Sequence, residues 1–403
     1  MFFENSDNIL FILAILNSKV SSALIEMLAP GVGLESGYLR KIPILLVEKN
    51  RIDSNVSTLL TLSRSDWDEY ETSWDFKVNP LVALAREYGT AHVSLEVAWR
   101  RLFERRMADA AKMKELEEEN NRLFIDAYGL EDELSPDVAW KDVSLTGNPF
   151  YRYKTDRQAP VNTELEARAC GDAMRELLSY GMGVLMGRYS LGREGLALAS
   201  QGETMADFKE RVGTDCSIMP DEDGIIPAIA LDGGIFTDNL LHRMREFLSA
   251  AFGKDALPGN LNFIEAALEC KIDKYLTDKF FDDHVKTYSK TPIYWLYKSP
   301  KGYFKVFAYM HRMTGATAGL IRNKYLLPYI AHLEKCHAAE SAKGSAMTTV
   351  ERKRVKEIEK AIEDCRQYDL ALHDIAEQSI AIDLDDGVAV NWEKFKTVLA
   401  RLR

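Results

Sequence analysis

Apolar residues recur along this chain mostly at helical spacing, with short alternating stretches between. Ile9 to Leu16 is an unbroken apolar run of eight residues, and strong helix formers continue to Met27. The pattern predicts a buried helix ended by Ala29-Pro30-Gly31-Val32-Gly33. Lys41 to Val47 reads as a short strand with Pro43 near its start. Ser65 followed by Asp66, Asp68 and Glu69 reads as a helix start. From Ser94 to about Tyr128, Leu95, Trp99, Leu102, Met107, Ala110, Met113 and Leu116 recur at three- to five-residue steps, the stripe of a long amphipathic helix or helix pair. Gly129 and Ser135-Pro136 close it. A second helix is predicted over 163–187, with Leu165, Ala169, Ala173, Leu177, Tyr180 and Val184 on one face. Ile225 to Leu231 reads as a strand, and Leu240 to Phe252 as a helix.

Tyr294-Trp295-Leu296-Tyr297, the turn Ser299-Pro300-Lys301-Gly302 and Tyr303 to Tyr309 spell a β-hairpin. Neighbouring strand residues point to opposite faces. Trp295 is therefore expected in the core with Tyr297 on its face, and Tyr294 outward. Beyond Met313 the pattern is helical again, with a polar linker around Gly344 and a charged helix from Val350 to about Asp369. The fold expected is mainly α with small β elements (α+β), divided at 1–62, 63–200, 201–345 and 346–403.

Charge changes the picture locally. The chain of 403 residues carries 51 Lys and Arg against 62 Asp and Glu, a net −11 that argues against a nucleic-acid coating protein. Residues 201–260 hold eleven acids and five bases, and suit docking to a basic partner. Residues 271–312 invert this, with nine bases, four acids and eleven aromatics. Lysines neutralise phosphates and aromatic faces stack on unpaired bases, so this stretch is the candidate nucleic-acid surface. Arg100, Arg101, Arg105 and Arg106 cover one flank of the long helix, and a solvated face is their simpler reading.

Other motifs point away from chemistry. The five cysteines form no C-x-x-C pair, and their wide spacing suggests a reducing compartment. No apolar run approaches the roughly 20 residues of a membrane span. A cytoplasmic protein without membrane contact is expected. Gly181, Gly183 and Gly187 miss the dinucleotide spacing and follow a helix, so close helix packing or a helix end is their reading. No P-loop is present. Asp383-x-Asp385-Asp386-Gly387 lacks the glutamate a calcium loop needs and reads as a cap or turn. His332, Cys336 and His337 lack a fourth ligand, so no metal is expected. Asn148-Pro149-Phe150-Tyr151 has one proline where amino-methyltransferases acting on adenine have two, and no glycine loop for S-adenosylmethionine stands upstream. No catalytic residue is assigned.

Several longer stretches resemble the PglX family, the adenine-specific DNA methyltransferases of BREX phage-defence systems. They include Leu62-Ser63-Arg64-Ser65-Asp66-Trp67-Asp68-Glu69-Tyr70, Lys112 to Ile125, Asn148 to Tyr153, Gly187-Arg188-Tyr189-Ser190, Met219 to Asp223, Pro292 to Leu296, Tyr309-Met310-His311-Arg312 and Ile382 to Asn391. Leu13 to Val20 and Tyr38 to Ile44 look like the tail of a target-recognition domain, which reads base edges while basic residues hold phosphates. The resemblance implies a multi-subdomain C-terminal region of such an enzyme, without its catalytic half. It implies N6-adenine methylation with S-adenosylmethionine bound in that other half, and no cofactor in this chain. The implied partners are double-stranded DNA, other phage-defence proteins and a separately encoded catalytic half. Arg40, Lys41, Lys279, Lys286, Lys290, Lys298 and Lys301 are the residues expected to face DNA. The other reading is a non-enzymatic protein-interaction module of the same defence complex.

Overall fold

The computed structural model describes residues 8–28, 36–87, 94–155, 163–214 and 216–402. The predicted stop at Ala29 to Gly33 lies outside them. The chain forms two compact units. One comprises 1–73 and 99–169, the other 74–98 and 170–403. Each is thus built from two separate stretches of sequence.

The first unit is helical. The predicted N-terminal helix is two helices, Ile9–Leu16 and Lys19–Leu28, bent by 64°. Ser18 makes the break. Its hydroxyl donates to the Ile15 carbonyl at 2.7 Å and accepts from the Ser21 amide at 3.2 Å, closing one helix and opening the next. Phe11, Ile15, Val20, Ile52, Val56, Phe124 and Ile125 form its core, with the Phe11 and Phe124 rings edge-to-face at 5.5 Å. Of the two readings of its stripe the single helix holds, running Leu95–Tyr128 and ending at Gly129 with φ 64°. No single helix among the described residues is long and apolar enough to cross a membrane. The bent N-terminal pair passes that test only together.

Two predicted elements of this unit are corrected. Lys41 to Val47 is not a strand. Ile44, Leu45 and Leu46 are exposed, and the Tyr128 hydroxyl takes up backbone groups a ladder would use, donating to the Pro43 carbonyl and accepting from the Leu45 amide. Ser65 to Tyr70 is a helix end, since Lys49–Trp67 is one helix. Asp66 there accepts from the Thr146 and Gly147 amides, both at 2.7 Å, rather than capping its own segment.

The second unit surrounds a three-stranded antiparallel sheet in the order β1 (Ile225–Pro227), β3 (Lys305–Tyr309), β2 (Tyr294–Lys298). β1 is shorter than its pattern suggests. The hairpin forms as predicted, pairing Trp295 with Ala308 and Tyr297 with Val306. Trp295 and Tyr297 share a core with Phe304, Tyr329, Tyr368 and Phe395. Tyr294 does not face outward: it is 0% exposed, against 1% for Trp295. The opposite sheet face is covered too, by Phe280, whose ring meets Phe307 at 5.5 Å, and by His284, which stacks on Tyr294 at 4.7 Å. A sheet covered on both faces has no outward side for a residue to take.

The glycines of the Thr163–Met186 helix serve close packing. A Cβ at Gly181 would lie 2.7 Å from the Phe247 ring, and one at Gly183 2.5 Å from the Tyr189 ring. Asp383 caps a short turn, accepting from the Asp385 amide at 3.0 Å.

Candidate nucleic-acid interface

The hairpin turn is fixed from outside. Asp364, wholly buried on the Thr349–Gln378 helix, accepts from the Ser299 hydroxyl at 2.5 Å, the Lys301 amide at 2.8 Å and the Tyr303 amide at 3.3 Å. Gly302 has φ 81°, and a Cβ there would come 3.1 Å from Lys298 Cε and 3.2 Å from Lys305 Cε. The turn therefore carries two lysine stems side by side. The outer edge of β2 is closed by the last residues of the chain. The Lys298 amide donates to the Val398 carbonyl at 3.0 Å, and the Ala400 amide to the Leu296 carbonyl at 2.8 Å.

That pairing creates a groove of about 710 Å³, lined on its charged sides by Lys298, Lys305, Lys396 and Arg401 against Asp278 and Asp282. Lys305 is held at 2.9 Å from Asp278, and its ammonium also donates to the Thr277 carbonyl at 2.7 Å. Lys396 pairs with Glu393. Four lining cations stand against two lining carboxylates and Glu393, which leaves the groove with a small positive excess.

Of the seven predicted cations, Lys298 alone lines this groove. Lys279, Lys286, Lys290 and Lys301 are exposed in the same unit. Lys301 pairs with Glu363 at 3.2 Å and Lys286 lies 3.5 Å from Asp283. Arg40 and Lys41 belong to the other unit, where the Lys41 ammonium sits 5.5 Å from the Tyr38 ring centre. Lys305, Lys396 and Arg401 are additions to the predicted set. Lys396 and Arg401 lie about a hundred residues further along the chain, in a second short basic stretch with Trp392 and Phe395, and pairing with β2 together with packing of Phe395 on Trp295 brings them to the hairpin.

Nine of the eleven aromatics of residues 271–312 are enclosed and offer no face to a base, while Tyr288 and Tyr303 are half-buried. Tyr275, Phe280, Phe281, Tyr294, Trp295, Tyr297, Phe304, Phe307 and Tyr309 are all buried. Their density builds two cores, one on each sheet face. Asn148 is likewise structural. Its amide group donates to the Trp140 and Val143 carbonyls at 2.8 and 2.9 Å, and its oxygen accepts from the Phe150 amide at 3.1 Å, a helix cap with Pro149 in the first position. Arg105 and Arg106 are tied to Glu69.

The acidic stretch is largely engaged within the fold. Asp221 accepts from the Asp223, Gly224 and Ile225 amides. Asp223 pairs with Lys324 at 2.6 Å, Asp232 with Arg354 at 2.7 Å, and Asp238 accepts from the Tyr325 hydroxyl at 2.7 Å.

No family model matches the chain. Two curated proteins do. One is the adenine-specific methyltransferase BrxX of Escherichia coli O9:H4 (strain HS), 32% identical over 425 residues, covering 100% of this chain and 34% of that protein. The other is the adenine-specific methyltransferase PglX of Lacticaseibacillus casei (strain Zhang), 33% identical over 411 residues, covering 98% of this chain and 32% of that protein. The chain spans about a third of the length of these relatives. Over almost its whole length the chain is thus similar to part of the adenine-specific methyltransferases BrxX and PglX.

Proposed function

We propose that this chain is the DNA-recognition and scaffolding portion of an adenine-specific (N6) DNA methyltransferase that marks host DNA for a phage-defence system. The observation that carries the reading is the positive groove beside the hairpin, on a chain similar throughout its length to such enzymes. On this reading S-adenosylmethionine binds in a catalytic portion outside these residues. Double-stranded DNA, other defence proteins and that catalytic portion are the partners, and the setting is the cytoplasm. Lys298, Lys305, Lys396 and Arg401 hold phosphates in the groove, while the exposed Lys279, Lys286, Lys290 and Lys301 extend the positive field around it.

The test is binding of the chain to a labelled duplex across a salt series. Phosphate contacts release counterions, so log affinity should fall linearly with log salt by about 0.9 per contact. No duplex binding at low salt, or affinity indifferent to salt, would refute the reading and leave the interaction-module alternative.

A further inference from the structure

On the Leu327–Ser341 helix, His332 and Cys336 stand four residues apart on one face, while His337 turns away to pair with Glu359 at 2.9 Å. Asp232, from the loop after β1, enters where a further ligand was missing. One donor atom from each of Asp232, His332 and Cys336 lies within 4.8 Å of the other two. The Cys336 sulfur is 3.4 Å from His332 Nε2. A tetrahedral zinc with Zn–S of about 2.3 Å and Zn–N of about 2.0–2.1 Å sets sulfur and nitrogen about 3.6 Å apart. The thiol and imidazole are therefore already spaced as two ligands of one ion.

A second observation concerns the carboxylates. Arg354 donates at 2.7 Å to Asp232 Oδ1 and at 2.7 Å to Glu340 Oε1, one turn beyond Cys336. The remaining Asp232 oxygen, Oδ2, is shut from solvent and accepts no hydrogen bond. A buried carboxylate oxygen without a donor is costly, and a cation satisfies it. Arg354 meanwhile holds both carboxylates in place, as groups around a metal site do for its ligands.

We propose that Asp232, His332 and Cys336 form a zinc-binding site, with water in the fourth position. One thiolate, one imidazole and one carboxylate suit a borderline ion such as zinc, whereas magnesium and calcium require an oxygen shell. The ion would join the loop after β1 to the Leu327–Ser341 helix.

The test is metal analysis of the 403-residue chain, produced with zinc supplied and dialysed free of loose ions. Cobalt exchange supplies a second readout, the near-ultraviolet thiolate-to-cobalt charge-transfer band. The expected result is stoichiometric zinc, a cobalt–thiolate band, and loss of both in Cys336→Ser and His332→Gln, with Cys270→Ser unchanged. Circular dichroism confirms that each variant is folded. Substoichiometric zinc in the unaltered chain overturns the proposal and leaves an arginine–carboxylate network only. So does zinc retained in full by both folded variants, which would place the ion elsewhere.

Discussion

His284 sits enclosed between Phe280, Tyr288 and Tyr294, and its Nε2 accepts from the Ile293 and Tyr294 amides, both at 3.1 Å. An accepting nitrogen carries no proton, so the ring is neutral with its hydrogen on Nδ1. Burial, reinforced by the nearby Arg188 guanidinium, pushes its pKa down to about 3. Burial also pushes His311 down, to about 4. In the unfolded chain each takes its proton near pH 6.5. Between about pH 6.5 and 3 the unfolded state therefore binds more protons, and stability falls as pH falls through that window. Urea unfolding at several pH values should show this loss, and a shallower one in His284→Gln; identical profiles would disprove the assignment. Trp295→Ala should destabilise by about 3–5 kcal/mol, the cost of emptying a large core site. Tyr294→Ala should cost a comparable amount, because the second sheet face is also a core. A Tyr294→Ala variant with an unchanged melting point would contradict that packing.

At the scale of elements, the hairpin depends on a helix that joins it only in the folded chain. Removing the carboxylate in Asp364→Ala leaves the Lys301 and Tyr303 amides and the Ser299 hydroxyl without their acceptor. The expected cost is about 2–3 kcal/mol. Hydrogen exchange of the Lys301 and Tyr303 amides should accelerate beyond what global destabilisation explains, and unaltered local protection would show that Asp364 does not hold the turn. The hairpin was legible because its turn residues and β-rich strands are local signals. The Leu95–Tyr128 and Leu240–Phe252 helices were legible for the same reason. The Thr349–Gln378 helix starts with a capping box, Thr348 and Glu351 satisfying each other's amides, a sequence signal as readable as the stripe behind it. The strand expected at Lys41 to Val47 was not readable. Its apolar pattern carries no record of whether a partner strand exists, and Tyr128 supplies hydrogen bonds from a distant helix instead.

For the whole molecule, the −11 net charge and the positive groove coexist because charge is unevenly spread along the chain, and Asp223 and Asp232 of the acidic stretch are paired with Lys324 and Arg354. Charge reversal at Lys298, Lys396 and Arg401 together should weaken binding to any duplex and flatten the log–log salt slope by about 2–3. Reversal of Arg40 and Lys41 serves as a separate measurement on the other unit. An unchanged slope in the groove variant would remove the groove from the DNA-contacting surface.

The local code of this chain determined its helical character, its hairpin, the helix packing of its glycines and the absence of a complete P-loop or calcium-loop motif. Those properties depend on residues a few positions apart, whose conformational preferences act before any tertiary contact forms. Tertiary structure alone decided that Tyr294 is buried, that Lys396 and Arg401 join Lys298, and that Asp232 meets His332 and Cys336. Each of these is a meeting of residues distant in sequence, set by which surfaces exclude water together. A linear pattern records that a side chain is apolar or charged. It does not record what lies opposite it once the chain has closed.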